Sequence, residues 1–212
     1  MKNSRVLIAS KEIEDLFDER MFTNIPKRCL AKGEVCYPET PRILLLKEGE
    51  LKISLYENSK ELILYFLHKN NLCFCNNDIM ITAKKESRFY IFESHNYSEL
   101  FKNSDFCNLI LNSINQNIFT EREILKSLSF ESGRERTANF FRELALSIGK
   151  KNEKGIIIDI KCTMEETAGF LGLSRQRFSA CINEMINLGI IDKINGKRYL
   201  IKSLEKLHDF CT

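Results

Sequence analysis

Residues 163–191, TMEETAGFLGLSRQRFSACINEMINLGII, decide the fold, because they read as two short helices meeting at a tight turn. Thr163 and Glu166, three places apart, have the spacing of a capping box, in which a hydroxyl accepts from an early amide and a carboxylate bonds back. The first helix runs from there through Ala168 to about Phe170. Gly172 then supplies the backbone freedom a turn needs, and Ser174 caps a second helix. In that second helix Phe178, Cys181, Met185 and Leu188 recur at helical spacing and predict a buried side. Arg175, Gln176, Ser179, Ala180 and Asn183 fall on the other.

The outward set has the chemistry to read base edges. An arginine forks onto guanine, a glutamine pairs with adenine and a serine donates or accepts, which makes Arg175, Gln176 and Ser179 the candidate base readers. They sit at the front of the helix, where recognition helices touch DNA. Gly189 ends the helix, and residues 190–201, IIDKINGKRYLI, predict a hairpin turning at Asn195 and Gly196. Lys193, Lys197 and Arg198 charge that wing; with Thr163, Ser174 and Arg177 they are the candidate phosphate contacts. An ordinary helical hairpin with a solvated polar face competes with this reading. The capping box, turn glycine, Ser-Arg-Gln start and basic wing, in that order, favour DNA.

Residues 163–201 resemble the C-terminal winged helix-turn-helix of the cyclic-AMP receptor protein and fumarate-nitrate reduction regulator superfamily. Within it, Ser174-Arg175-Gln176 with Ser179, and the tail LIKSLEKLHDF at residues 200–210, look most like the carbon-monoxide-sensing haem regulators. The similarity extends more weakly over nearly the whole chain. Superfamily members are dimeric bacterial transcription factors with an N-terminal sensory β-roll. The resemblance therefore implies an α+β fold: a β-roll of the cyclic-nucleotide-binding type, a long dimerisation helix and a winged helix-turn-helix. The partners it implies are double-stranded DNA at a palindromic promoter site, a second copy of the chain and RNA polymerase.

Composition agrees with two small domains. The chain has 212 residues, 43% of them hydrophobic, enough to bury a core. Its formal net charge is only +3, so nucleic-acid contact must come from a local cluster. No stretch is apolar enough to span a bilayer, and residues 1–17 lack the core and cleavage site of a signal peptide, which predicts a cytoplasmic protein. Eight irregularly spaced cysteines in that compartment predict reduced thiols, most of them filling core.

Along the chain, residues 12–22 read as a short amphipathic helix with Ile13, Leu16 and Phe17 on one side. Residues 28–92 change to short β-rich runs separated by turn signals at 32–34, 39–41, 48–50 and 57–59, which predicts a sandwich or barrel. Residues 43–55 resemble the superfamily's strand, turn at Gly49, and strand, and residues 62–67 its next strand. From about 104 to 128 the helical period returns. Leu111, Ile114, Ile118, Leu125 and Leu128 alternate threes and fours, interrupted by Glu121, a narrow seam that suits a partner helix. About 25 residues at ~1.5 Å each make a rod of ~38 Å, and a two-fold pair would set recognition helices on half-sites ~34 Å apart. Ser132 and Gly133 break the rod. Residues 134–148 form the next helix on Phe140, Phe141, Leu144 and Ile148; residues 149–155 read as a polar loop and 156–160 as a strand. Residues 203–210 are a terminal amphipathic helix. The division is 1–103 sensory, 104–131 dimerisation and 132–212 DNA-binding.

The effector is less legible. Cyclic-nucleotide members hold the phosphate with a Gly-Glu pair and a later arginine, yet the corresponding residues 68–83, HKNNLCFCNNDIMITA, contain no Gly, Glu or Arg, which argues against cyclic AMP. Carbon-monoxide sensors place haem against the same stretch with a cysteine and a histidine as ligands. A gapless match puts Phe74 and Asn76 at those positions, with Cys73 and Cys75 flanking and His68 and His95 as other imidazoles. His68, Cys73, Phe74, Cys75 and Asn76 form the candidate effector or haem region, with no metal assigned. Cys29, Cys36, Cys73 and Cys75 match a cluster in number, but their spacing is unlike that of the oxygen-sensing members and argues against iron-sulfur. The alternative function is a haem- or thiol-based gas or redox sensor whose helix-turn-helix contacts protein. No nucleophile elbow, P-loop, HExxH or zinc-spaced cysteine pair points to an enzyme.

Overall fold

The computed structural model describes residues 24–210, and the helix expected over residues 12–22 lies outside them. The chain divides into two compact units, Met1–Ile124 and Leu125–Thr212. The fold is α+β, with an antiparallel β-roll in the first unit and a winged helix-turn-helix in the second.

The first unit contains β1 (Lys27–Leu30), β2 (Val35–Cys36), β3 (Arg42–Glu48), β4 (Leu51–Glu57), β5 (Lys60–Leu67), β6 (Leu72–Cys75), β7 (Ile79–Ala83) and β8 (Ser87–Phe92). They form two four-stranded antiparallel sheets, ordered β1-β8-β3-β6 and β2-β7-β4-β5. The strands either side of Gly49 therefore belong to different sheets. β4 and β5 do form a hairpin, closed by Asn58 and Ser59 at φ 50° and 61°, the paired left-handed conformation of a two-residue turn.

β3 shows why this unit holds together. It is buried on both faces, and alternation sends its residues to two different cores. Leu44 and Leu46 join Ile53, Leu64, Tyr65, Cys73, Cys75, Ile81 and Phe89 between the sheets. Ile43 and Leu45 join Tyr90, Phe92, Phe106, Leu109 and Ile110 on the opposite side. The last three belong to α1 (Ser104–Phe130), the long helix expected from the returning period. At 27 residues it is ~40 Å long. Its buried side carries Phe106, Leu109, Ile110, Asn117, Thr120 and Ile124. One position round, Leu111, Ile118, Leu125 and Leu128 are exposed, with Ile114 half-buried.

The second unit comprises α2 (Gly133–Ile148), β9 (Lys150–Asn152), β10 (Gly155–Asp159), α3 (Met164–Phe170), α4 (Arg175–Asn187), β11 (Ile191–Lys193), β12 (Arg198–Ile201) and α5 (Leu204–Asp209). Its sheet runs β11-β12-β10-β9. Ala138, Phe141, Ile158, Ala168, Phe178, Ile182, Met185, Tyr199 and Leu207 build one core between helices and sheet. Four helices start at a hydroxyl cap: Ser132, Thr163, Ser174 and Ser203.

Two expectations are corrected here and a third is refined. Residues 149–155 are not a polar loop, since β9 pairs with β10 in a hairpin whose exposed Lys150, Lys151 and Asn152 hid a strand from any hydrophobic pattern. The wing hairpin does turn at Asn195 and Gly196, but over a wider loop than a two-residue turn. Beyond the Lys193–Tyr199 pair the Ile194 amide still donates to Arg198 O at 2.9 Å, and the Asn195 side-chain oxygen accepts from the amides of Lys197 and Arg198, organising the loop. Leu188 is 54% exposed as the residue that closes α4, and Ile182 takes its place in the core.

Candidate nucleic-acid interface

The turn before α4 is built by backbone bonds that follow from one glycine. Gly172 adopts φ +63°, its amide bonds Gly169 O at 3.2 Å, and the Leu173 amide reaches back to Ala168 O at 2.9 Å. This is the two-bond closure of a helix by a left-handed residue. Gly189 repeats it after α4, at φ +65°, with Gly189 N to Ile186 O and Ile190 N to Met185 O both at 2.9 Å. Between the two closures, Ser174 Oγ accepts from the Arg177 amide at 3.2 Å and starts the helix.

That helix is anchored by one face. Phe178, Cys181, Ile182 and Met185 are buried, while Arg175, Gln176, Arg177, Ala180 and Asn183 are exposed and Ser179 is half-buried. The Thr163 capping box forms as expected: its hydroxyl accepts from the Glu166 amide at 3.1 Å, and its own amide donates to the Glu166 carboxylate at 3.0 Å. A notch of about 350 Å³ lies between the start of α3, the first turn of α4 and the wing, and Thr163, Glu165, Arg175, Gly196 and Lys197 line it together. Two cations, one carboxylate and a hydroxyl from three separate segments thus meet at one concavity. Lys197 Nζ donates to Lys161 O at 3.0 Å, which holds the ammonium beside it.

The other candidates sit apart from the notch. Lys193 is exposed on β11. Arg198 forks onto Asp159 at 2.8 and 3.1 Å; the arginine holds the Asp159 carboxyl below its ordinary pKa, and its own is raised in return. Its charge is already countered, on an exposed pair of small energetic worth.

Sequence reasoning missed Arg136. Its Nε donates to Leu171 O at 2.8 Å and its Nη1 to Glu131 O at 2.6 Å and Ser127 O at 3.4 Å. One guanidinium therefore ties the end of α1 to the carbonyl just before the Gly172 turn. Burial, and to a lesser degree nearby Arg177, lowers its pKa. Nothing in the local pattern marks it, since an arginine in the first turn of an amphipathic helix reads as solvated.

In the β-roll, the Cys73 and Cys75 side chains face the core between the sheets and Phe74 points out. Asn76 is exposed and His68 half-buried. The two positions that align with haem ligands thus carry a phenyl and a carboxamide, neither a thiolate nor an imidazole, and alternation turns the flanking thiols to the opposite face. These residues do not fit haem ligation. Among the described residues no three of His, Cys, Asp or Glu gather into a metal-binding group.

Comparison with known proteins agrees with this architecture. Residues 135–210 match the Crp-like helix-turn-helix domain. A search of curated proteins finds no match. Among solved structures, a CooA mutant from Carboxydothermus hydrogenoformans is similar over 95% of this chain and 95% of that one, with a TM-score of 0.79 and 22% identity. CprK complexed with OCPA is similar over 96% and 97%, with a TM-score of 0.77 and 18% identity. The c-di-GMP responsive global regulator CLP of Xanthomonas campestris is similar over 87% and 97%, with a TM-score of 0.70 and 14% identity. At these identities the likeness establishes the fold alone; the resemblance read from residues 163–201 is borne out by the match of residues 135–210 to the Crp-like helix-turn-helix domain.

Proposed function

We propose, from a chain whose residues 135–210 are a Crp-like helix-turn-helix domain, that the protein is a homodimeric, sequence-specific DNA-binding transcription regulator gated by a small effector sensed in the β-roll. One observation carries the reading: Arg175 and Gln176 stand exposed at the front of a helix whose opposite face is wholly buried, beside a notch that brings in Lys197 and Thr163. A rod so presented can enter the major groove with its amide end toward phosphate. Arg175, Gln176 and Ser179 read bases, while Thr163, Ser174, Arg177, Lys193, Lys197 and Arg198 contact the backbone.

The exposed stripe Leu111, Ile118, Leu125 and Leu128, with Ile114, is the seam for a second copy. Pairing two such helices would place two recognition helices on a palindromic site with half-sites ~34 Å apart. The reading divides the chain into a sensory part, 1–103, a dimerisation helix, 104–131, and a DNA-binding part, 132–212. It makes the protein a cytoplasmic partner of RNA polymerase rather than an enzyme. The names of two structures of similar fold mention an OCPA complex and responsiveness to c-di-GMP, and for this chain the effector's identity rests on the side chains of its own roll.

The test is selection of bound DNA from a random pool, followed by affinity measurement on the selected site and on random DNA across a salt series. Specific binding is expected to exceed random binding by ~10³-fold or more. Equal affinity for both, with only the salt slope of phosphate contacts, would refute sequence-specific recognition.

A further inference from the structure

Cys73 and Cys75 are the first and last of three successive residues on β6, and alternation puts both on its inner face. Their sulfurs are 3.2 Å apart. Both are fully enclosed, at 0% and 2% exposure, in the core cluster that also holds Tyr65 and, from α1, Ile124. The Tyr65 phenol is held well above its ordinary pKa by burial first and then by the nearness of Cys73, Cys75 and Glu121. Two thiols and a phenol therefore lie together in the first unit, in a core cluster to which the long helix contributes Ile124.

The spacing selects among the things a close dithiol can do. A disulfide needs its Cβ atoms ~3.8 Å apart, whereas residues two apart on an extended strand hold theirs ~6.6 Å apart. Closing that bond would break the strand. A single atom bridging both sulfurs through bonds of ~2.3 Å needs them ~4.6 Å apart if linear, ~3.8 Å if tetrahedral and ~3.2 Å if the angle is near 90°. The observed separation is that of the last, the pyramidal geometry of a trivalent p-block element. Charge points the same way. A thiophile that leaves the buried site neutral avoids the penalty of enclosing an ion, and Cys73 is held protonated by its bond to Cys75 and by burial.

We propose that Cys73 and Cys75 form a binding site for a trivalent thiophilic metalloid, of the arsenite or antimonite class, and that it is this β-roll's effector site. The step is a condensation: a neutral trihydroxide exchanges two hydroxyls for two thiolates. Two S–H and two element–oxygen bonds break, two element–sulfur bonds form, and the thiol protons leave in two waters. No electrons are transferred. The third hydroxyl stays on the metalloid, in the core that Tyr65 and Ile124 share, so loading presses on α1. The gating half of the proposal rests on the regulator reading above; the dithiol site does not.

Full-length protein reduced with a phosphine is mixed with phenylarsine oxide, and in parallel with sodium arsenite, and its intact mass and cysteine alkylation map are read. One phenylarsenic per chain, protecting Cys73 and Cys75 from alkylation and released by 2,3-dimercaptopropanol, is expected. Cys73→Ser and Cys75→Ser should each weaken capture at least ~10-fold, and the Cys29→Ser/Cys36→Ser double variant should leave it unchanged. The alkylation map of the unaltered chain decides the site if either serine variant fails to fold. Capture at full strength by a folded Cys73→Ser, protection of other cysteines, or a Cys73–Cys75 disulfide formed by hydroperoxide with no metalloid captured would overturn the site. DNA affinity is measured before and after loading. A several-fold change supports gating, and unchanged affinity of a loaded, specifically binding protein overturns gating alone. Loss of all specific DNA binding in the unloaded protein would instead overturn the regulator reading and leave the dithiol site standing.

Discussion

The winged unit and the β-roll place their distinctive chemistry on opposite sides of the fold. The winged unit turns Arg175, Gln176 and Lys197 outward and locks their supports with internal caps and closures. The roll turns Cys73, Cys75 and Tyr65 inward and exposes the phenyl of Phe74. A surface that must match a long polyanion has to be polar and solvated. A site that discriminates a small molecule gains by enclosing it, because low dielectric strengthens each contact and each mismatch.

The largest effect that would break this comparison is on the buried anchor of α4. Phe178 is fully buried, so Phe178→Ala should cost the winged unit ~3–5 kcal/mol. Urea denaturation followed by a probe in each unit should show the roll's transition unmoved; a common loss in both would mean that the units do not have separate cores. Next, Ile118→Asp sets an uncompensated charge in the exposed apolar stripe of α1, the proposed seam. Association should weaken by ~100-fold, about 2.7 kcal/mol, in sedimentation velocity, and a dimer that persists would move the seam elsewhere.

Arg175→Ala should cost ~1–3 kcal/mol on the selected site and relax preference at one base pair per half-site. Lys197→Ala should weaken all sequences alike and flatten the salt slope by ~1. Equal loss on specific and random DNA in Arg175→Ala would erase the distinction between the two roles. Gly172→Ala, at φ +63°, should destabilise the winged unit by ~1–2 kcal/mol without any contact being removed.

The smallest effect concerns Glu121, which interrupts the apolar stripe of α1. Partial desolvation against the roll, and less so Asp78, raises its carboxyl above the ordinary glutamate range although the residue is exposed. The folded roll therefore keeps this proton to higher pH than the unfolded chain. Stability should fall as pH climbs from the ordinary glutamate value to the raised one, because there the native state binds more protons. Glu121→Gln should flatten that part of the profile, and an unchanged slope would assign it to other groups.

The winged unit was readable because its signals are local. Thr163 and Glu166 are three residues apart, Gly172 needs only its own φ, and Phe178, Cys181 and Met185 lie within two turns of helix. Even there, the pattern fails where packing rules: helical spacing predicts Leu188 in the core although it is exposed, and the strand at Lys150–Asn152 carries no apolar residue at all. Arg136 was invisible because its carbonyl partners, Leu171 and Glu131, lie on either side of it in the chain and meet only in the fold.

Sequence alone determined most element types, the strand at Lys150–Asn152 excepted, together with the long helix and its apolar stripe and the polar front of α4, since hydrophobic period and capping chemistry act over a few residues. Tertiary structure decided which sheet each strand joined and which cations share a notch. It also decided that two thiols face each other inside the roll while Phe74 faces out. Those outcomes depend on strand pairing between residues as distant as Leu44 and Ile91 or Cys73, and no short-range pattern encodes such a pairing.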